Sequence, residues 1–209
     1  MKGSVLTKVA RVLAHLATHP RHAATYVTRG PLCRRTPLEL GVPWFAQSAI
    51  EFLEGHVTKA MHVFEYGAGG STLFFARRAA SVLSTEDNAD WLTRVRTALA
   101  AEQLTNARLQ HHPYDFHHAA DFAQSAYLNS LPAAPVDLIV VDGMEEATPV
   151  RPQCFRLAET RIKPGGLIIV DDSWRYPELR TANRAKSWRE FRSIGPCRPG
   201  VTSTDIYFY

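Results

Sequence analysis

The feature that most constrains the fold is an apolar run that ends in a cluster of glycines. Residues 61–66 read MHVFEY, and Gly67, Gly69 and Gly70 follow almost directly. Such a run is typical of a buried strand, and glycines let the backbone turn tightly and pass close to a ligand. Further apolar runs alternate with helical patterns downstream, the clearest being VDLIVV at 136–141. This alternation predicts an α/β protein built on a doubly wound sheet.

The remaining elements complete the predicted sheet. The runs at 136–141 and 167–170 fit strands that are buried on both faces, and a Lys163–Gly166 turn precedes the second of them. Residues 204–209 alternate, so we expect them to pair with 188–193 across a Gly/Pro turn. In such sheets the ligand binds beyond the carboxyl ends of the strands. Helices are predicted at 5–16, 44–53, 72–80, 89–103, 116–128 and 148–161, the last with Thr148 and Pro149 at its start.

Composition narrows the class of protein. The chain has 209 residues, of which 45% are hydrophobic and 21% charged, as in ordinary globular proteins. These values exclude a disordered, collagen-like or coiled-coil chain, and no apolar run is long enough for a membrane span. The three cysteines form no CxxC pair and the N-terminus lacks a signal-peptide pattern, so we expect a cytoplasmic protein.

The N-terminal segment differs from the rest in charge. Residues 1–38 contain several Lys and Arg residues but no Asp or Glu, and apolar residues recur at helical spacing from Val5 to Leu16. This pattern fits a surface helix packed on the domain, or a patch for an acidic substrate, an anionic lipid or a partner. We therefore predict a basic helical extension or lid at 1–60 and a cofactor-binding domain at 61–209.

The residues around the glycine cluster indicate the kind of cofactor. Glu86 ends the second predicted strand, where a carboxylate can accept hydrogen bonds from both hydroxyls of a ribose. Thr72 stands where the dinucleotide pattern GxGxxG needs glycine, and no GxxxxGK[ST] phosphate loop is present. Glu65, two residues before the first glycine, suits a cationic ligand better than a pyrophosphate. S-adenosylmethionine, with an ammonium group, a sulfonium and a ribose but no phosphate, fits these features.

Residues 65–72, EYGAGGST, resemble motif I of the class I S-adenosylmethionine-dependent methyltransferases. Glu86, Asp142-Gly143 and the KPGG at 163–166 fall where that family has its later landmarks, so the resemblance covers about 61–171. The VDG and IIVDD segments look most like small-molecule O-methyltransferases. The resemblance implies a Rossmann-like, mostly parallel seven-stranded sheet with an antiparallel last strand.

The resemblance also assigns roles to single residues. Gly67 and Gly69 would pass under the methionine part of the cofactor, Glu65 would hold its ammonium group, and Glu86 its ribose. Asp115, after the third strand, falls where the family often contacts adenine. The implied cofactor-binding set is Glu65, Gly67, Ala68, Gly69, Ser71, Thr72, Glu86, Asp87, Asp115 and Asp142.

Three carboxylates follow adjacent strands and form a candidate metal site. Asp142, Asp171 and Asp172 offer the oxygen ligands that Mg²⁺ prefers. The metal-dependent catechol-type methyltransferases have a similar Asp and an Asp-Asn pair, whereas this chain has Asp171-Asp172. The same carboxylates could equally cap the next helix or bind substrate directly. The family's catalytic Lys is absent, because Met144, Glu145 and Glu146 occupy that stretch.

The candidate catalytic residues are Asp142, Asp171 and His112. His112 belongs to a cluster with His111, His117 and His118, and a histidine can act as a general base near neutral pH. Zinc binding by this cluster is not favoured, because the four residues straddle a loop. Trp174 is the tryptophan best placed to face a substrate, whereas Trp44, Trp91 and Trp188 are core or lid candidates.

Together these features predict methyl transfer from S-adenosylmethionine to a small molecule, at a hydroxyl oxygen and with Mg²⁺ assistance. The alternatives are an NAD(P)-dependent oxidoreductase, an RNA methyltransferase and a binding module without catalysis. Nucleic acid is not the expected partner, because Asp142-Gly143 stands where base-amino methyltransferases carry an Asn/Asp-Pro-Pro-Tyr type of motif. A homodimer is left open.

Overall fold

The computed structural model describes residues 5–143 and 150–209, without the side chains of 117–119. A seven-stranded sheet with the order β3-β2-β1-β4-β5-β7-β6 crosses the molecule. Its first five strands are parallel, and β7 runs antiparallel to both β5 and β6, which confirms the predicted fold class. The strands are β1 His62–Tyr66, β2 Ser81–Glu86, β3 Ala107–His111, β4 Val136–Val141, β5 Ile162–Asp171, β6 Ser187–Ile194 and β7 Val201–Phe208.

Helices cover both faces of the sheet. Phe45 and the inner face of the fourth helix pack on one side with Val63 and Leu138, and Phe155 packs on the other with Ile139 and Tyr207. No helix in the described ranges is long and apolar enough to cross a membrane. The helices are α1 Val5–Thr18, α2 His22–Arg29, α3 Pro37–Leu40, α4 Gln47–His56, α5 Gly70–Ala76, α6 Ala89–Ala101 and α7 Arg151–Ala158.

The register of the central strands places the candidate site. Tyr66 at the end of β1 lies beside Val141 at the end of β4, and Val141 lies beside Val170 of β5. Gly67, Asp142 and Asp171 therefore follow three neighbouring strands at one edge of the sheet. The β4 residues Leu138–Val141 are fully buried, which is why this run is apolar at every position.

Two predicted elements differ from the structure. The segment 116–128, predicted as a helix, forms short 3₁₀ turns at Phe116–Gln124 and Leu128–Ser130. The predicted turn at 163–166 belongs to β5, because Gly165 donates its N–H to the Tyr209 carbonyl and Gly166 accepts from the Tyr209 N–H. Thr148 and Pro149, the predicted start of α7, lie outside the described residues, as do Met144, Glu145 and Glu146.

The N-terminal segment contains two kinds of helix. α1 packs against β6 and β7 but buries only Val12 of its fourteen residues, and α2 buries only His22. By contrast, α4 contributes Ala49, Ile50 and Leu53 to the same buried cluster as the sheet. The domain boundary at residue 60 stays a prediction, although the packing ties α4 to the sheet.

Candidate functional site

The loop after β1 is shaped by glycines. Gly67 has a φ of +91°, and a Cβ there would lie 2.9 Å from the carbonyl oxygen of Asp142. A side chain is therefore excluded both by the backbone conformation and by the neighbouring β4 end. Gly69 differs, because its extended backbone accepts any residue and a Cβ would meet nothing nearer than the Trp91 ring at 3.8 Å. Gly69 thus leaves free space, and the larger cavity described below occupies that side of the loop.

Glu86 holds this loop to the end of β2. Its Oε2 accepts the Ala68 N–H at 3.0 Å, and its Oε1 accepts the Asn88 N–H at 3.1 Å. Burial raises the pKa of Glu86 to about 7, and the Asp87 carboxylate adds to the shift. Each oxygen retains acceptor capacity for a ligand hydroxyl. Glu86 therefore both shapes the loop and faces the space beside it.

Glu65 lies beneath the loop rather than beside it. Its Oε2 accepts hydrogen bonds from Ser84 at 2.6 Å and from Thr72 at 2.7 Å. The Thr72 hydroxyl in turn accepts the Gly69 N–H at 3.0 Å, so the glutamate is linked to the glycine backbone through one hydroxyl. Burial raises the pKa of Glu65. In this structure Glu65 and Thr72 support the loop from below.

A cavity of about 660 Å³ lies against the loop. Seven of the ten residues expected to bind the cofactor line it: Gly67, Ala68, Gly69, Ser71, Glu86, Asp87 and Asp142. Glu65, Thr72 and the exposed Asp115 lie outside its lining. No sequence pattern predicts that residues 36–38 line the cavity, and the pattern around Trp91 predicts a core or lid residue. Trp91 in fact lines the cavity and donates its Nε1–H to the Ala68 carbonyl at 2.7 Å.

The three aspartates at the strand ends are paired with two arginines. Arg151 contacts Asp142 at 3.2 Å and also donates to the Gly143 and Asp171 carbonyls. Arg198, from the turn between β6 and β7, reaches Asp171 at 3.0 Å and Asp172 at 2.8 Å. We call these five residues the arginine–carboxylate cluster. Each carboxylate in it therefore already has a guanidinium partner.

The cluster gives its three carboxylates different proton affinities. Burial raises the pKa of Asp142 to about 6 against the opposing effects of Arg151 and Arg198. Burial and the nearby Asp142 raise the pKa of Asp171 to about 7. Burial acts in the same direction on Asp172, but Arg198 and Thr202 outweigh it, so that its pKa is lowered. Of the three, Asp142 is the carboxylate that both lines the larger cavity and can exchange a proton near neutral pH, properties that it shares with Glu86 in the same cavity.

The cluster does not fit the expected Mg²⁺ site. Asp171 is almost completely buried and accepts from Thr204 and Arg198, while Asp172 accepts from Arg198 and Thr202. Within the described residues no group of three or more His, Cys, Asp or Glu side chains could hold a metal ion. The described geometry does not favour Asp142, Asp171 and Asp172 as metal ligands, because each carboxylate is paired with an arginine guanidinium group, and their assignment as metal ligands stays a prediction.

The histidine candidate lies away from this chemistry. The backbone N–H of His112 donates to the Glu86 carbonyl at 2.9 Å, and its ring lies outside the lining of both cavities described here. His111 donates to the Asp87 carbonyl at 3.0 Å. The side chains of His117 and His118 lie outside the described part of the chain. Of the three candidate catalytic residues, Asp142 lines a cavity, whereas Asp171 and His112 do not.

A second cavity, of about 270 Å³, adjoins the first. The two share Trp44, Asp172 and Arg198 as a common wall. Trp174, predicted to face a substrate, lines this smaller cavity, as do Lys8 and Arg11 of α1. The sequence does not predict a role for Arg198, although this residue is recognisable as the arginine of the turn segment PCRPG. The site therefore consists of two adjoining compartments that share Trp44, Asp172 and Arg198 as lining residues.

The sheet order and the glycine loop define a Rossmann-like protein whose ligand cavity lies at the carboxyl ends of the parallel strands. A family model described as a methyltransferase domain matches residues 64–173, which is more than half of the chain. The chain therefore belongs to that family and is a class I S-adenosylmethionine-dependent methyltransferase, as the resemblance implied. No curated protein sequence matches it significantly.

Solved structures share the fold at low sequence identity. The O-methyltransferase from Bacillus cereus, in complex with SAH, is 18% identical with a TM-score of 0.63, covering 94% of this chain and 99% of its own. The O-methyltransferase TomG from Streptomyces achromogenes, in complex with SAM, is 16% identical with a TM-score of 0.57, covering 100% and 90%. This chain thus shares the fold of these solved structures over nearly its whole length.

Proposed function

We propose that this methyltransferase moves a methyl group from S-adenosylmethionine to a hydroxyl oxygen of a small molecule. The observation that carries the proposal is the pair of adjoining cavities. The larger holds the glycine loop, Glu86 and Asp142, and the smaller meets it at the Trp44, Asp172 and Arg198 wall. A cofactor in one compartment and an acceptor in the other would meet at that wall.

The larger cavity supports the cofactor assignment. Gly67, Ala68 and Gly69 would lie along the methionine part, and Glu86 would accept from the ribose hydroxyls. Trp91 and Asn88 line the same cavity and offer an aromatic face and an amide for the adenine end. When bound, S-adenosylmethionine supplies a methyl group on a sulfonium, and the electron pair of the broken S–C bond stays on sulfur.

Asp142 is the proposed general base. With a pKa of about 6, it is ionised at neutral pH yet basic enough to take the proton of an acceptor hydroxyl. Arg151, at 3.2 Å, holds the carboxylate in place and stabilises its ionised form. Asp171 and Asp172 act as positioning residues for Arg198, because their carboxylates are already engaged with it.

A glycine substitution tests the cofactor compartment. Gly69→Val places a branched side chain at the larger cavity, and a Cβ there meets nothing nearer than the Trp91 ring at 3.8 Å, so we expect a folded protein that no longer binds S-adenosylmethionine or SAH. Isothermal titration calorimetry measures this. Gly55→Val is the matched control, since its Cβ meets nothing within 4 Å and it lies on α4, away from the cavity.

Three results would contradict parts of this proposal. Unchanged affinity in the Gly69→Val protein would show that the cofactor does not lie along this loop. Tighter binding of NADH than of S-adenosylmethionine to the unaltered protein would favour the oxidoreductase alternative, and salt-dependent RNA binding in the same assay series would favour the RNA methyltransferase.

A further inference from the structure

The smaller cavity has an unusual charge for a compartment next to three aspartates. Its lining includes three cationic side chains, Lys8, Arg11 and Arg198, and one acidic side chain, Asp172. Asp172 accepts from Arg198 at 2.8 Å and from Thr202 at 2.9 Å, and Arg198 also pairs with the buried Asp171. The side chains that line the cavity therefore carry a net positive charge, and Lys8 and Arg11 take no part in these ion pairs.

The two α1 cations are placed for a ligand. Lys8 and Arg11 are three residues apart and so lie on one face of the helix. In the described part of the chain neither forms an ion pair with a carboxylate. Because α1 packs on β6 and β7, this face borders the cavity that opens at the turn between those strands. Two uncompensated cations at one cavity attract an anion.

Two tryptophans contribute flat aromatic surface to the lining of the cavity. Trp44 is 49% exposed, and the Arg198 guanidinium lies over its ring at 4.6 Å. Trp174 lines the same cavity, and its Nε1–H points to Asp172 at 3.4 Å. Indole faces that line a cavity pack well against a planar ring. A volume of about 270 Å³ is enough for one substituted ring.

From these observations we propose that the acceptor is a single-ring aromatic acid. Its carboxylate would pair with Lys8 and Arg11, its ring would lie against Trp44 and Trp174, and its hydroxyl would point through the shared wall toward Asp142. This inference rests on the proposed function, and it adds that charge at the far end of the acceptor selects the substrate.

A matched pair of probes isolates the charge. para-Hydroxybenzoate and para-hydroxybenzamide have the same ring and hydroxyl and differ in the charge opposite the hydroxyl. We titrate each into the SAH-loaded protein by calorimetry. Two partly exposed ion pairs should favour the acid by about fivefold to tenfold. Equal affinity for the two probes in the unaltered protein would overturn the proposal.

Variants assign the preference to α1. Lys8→Gln with Arg11→Gln should abolish the preference for the acid and leave the affinity for the amide unchanged. Arg29→Gln with Arg34→Gln removes the same charge from exposed positions outside the cavity lining and should preserve the preference. Loss of the preference in this control would show a general charge effect and would overturn the proposal.

The design separates this inference from the proposed function. SAH binding is measured first, and a failure there contradicts the cofactor assignment. If SAH does not bind, the affinities of the two probes are compared on the protein without SAH. The preference for the acid is then still measured independently of the cofactor. Trp174→Leu should lower the affinity for both probes to the same extent, because the indole contacts the ring that the probes share and not the group in which they differ. An effect of Trp174→Leu on the acid alone would contradict the assigned role of the ring.

Discussion

At the scale of single residues, the proposed reaction depends on the protonation of Asp142. Its carboxylate must be ionised to accept a proton, and its pKa is raised to about 6 by burial. We therefore expect kcat/KM to rise with pH through about 6 and to level off above it, measured with the acceptor that passes the binding test. Asp142→Asn cannot accept the proton and should lower kcat by roughly 10²-fold or more while SAH affinity changes little.

The control for Asp142→Asn lies on the same strand. Asp137 is the second residue of β4 and pairs with Lys163 at 2.9 Å, at the end of the strand opposite the site. Asp137→Asn makes the same isosteric change and should leave both the rate and its pH profile as in the unaltered protein. A profile without a step near pH 6, or a fully active Asp142→Asn protein, would assign the base elsewhere.

At the scale of elements, α1 and α2 are separable from the cofactor compartment. Together they bury only Val12 and His22, and the nearest cofactor-cavity lining begins at Thr36, where Thr36 and Glu39 form a capping box for α3. A chain beginning at Arg35 should therefore fold and keep its SAH affinity within a few fold, yet lose the preference for an acidic probe. Circular dichroism and calorimetry check the two parts. A folded product without SAH affinity would place the N-terminal helices in the cofactor site.

Elements were predictable from the sequence where local pattern and burial agree. VDLIVV is apolar at every position except Asp137 because Leu138–Val141 of β4 are buried on both faces of the sheet. The glycine loop can be recognised because Gly67 needs a positive φ. The segment 116–128 was misread, since its apolar residues pack through 3₁₀ turns whose spacing resembles a helix. The turn reading of 163–166 failed because the chain end at Tyr209 pairs there, a contact that no local pattern contains.

At the scale of the whole molecule, the site joins segments that are far apart in sequence. Asp142, Asp171 and Asp172 were predicted to meet because parallel strands end at one edge. The arginines that change the pKa values of these carboxyl groups come from α7 and from the β6–β7 turn. Two further cations of the smaller cavity, Lys8 and Arg11, come from α1. Only the tertiary fold brings Arg198 to Asp171, so the sequence predicted a metal site where the structure has ion pairs.

The buried carboxyl groups also set how stability depends on pH. The pKa values of Glu86 and Asp171 are raised to about 7, mainly by burial, whereas carboxyl groups in an unfolded chain titrate near 4. Between these values the folded protein binds more protons than the unfolded chain, so the free energy of unfolding falls as pH rises. The pKa of His15 is lowered to about 4 by burial and its neighbouring histidines, and this acts in the opposite direction, but mainly below about pH 6.5.

We therefore expect urea unfolding to give a lower free energy of unfolding at pH 8 than at pH 6.5, with Glu86 contributing on the order of 1 kcal/mol. Glu86→Gln should reduce this difference, and a free energy that rises over the same interval would show that these carboxyl groups are not buried as described.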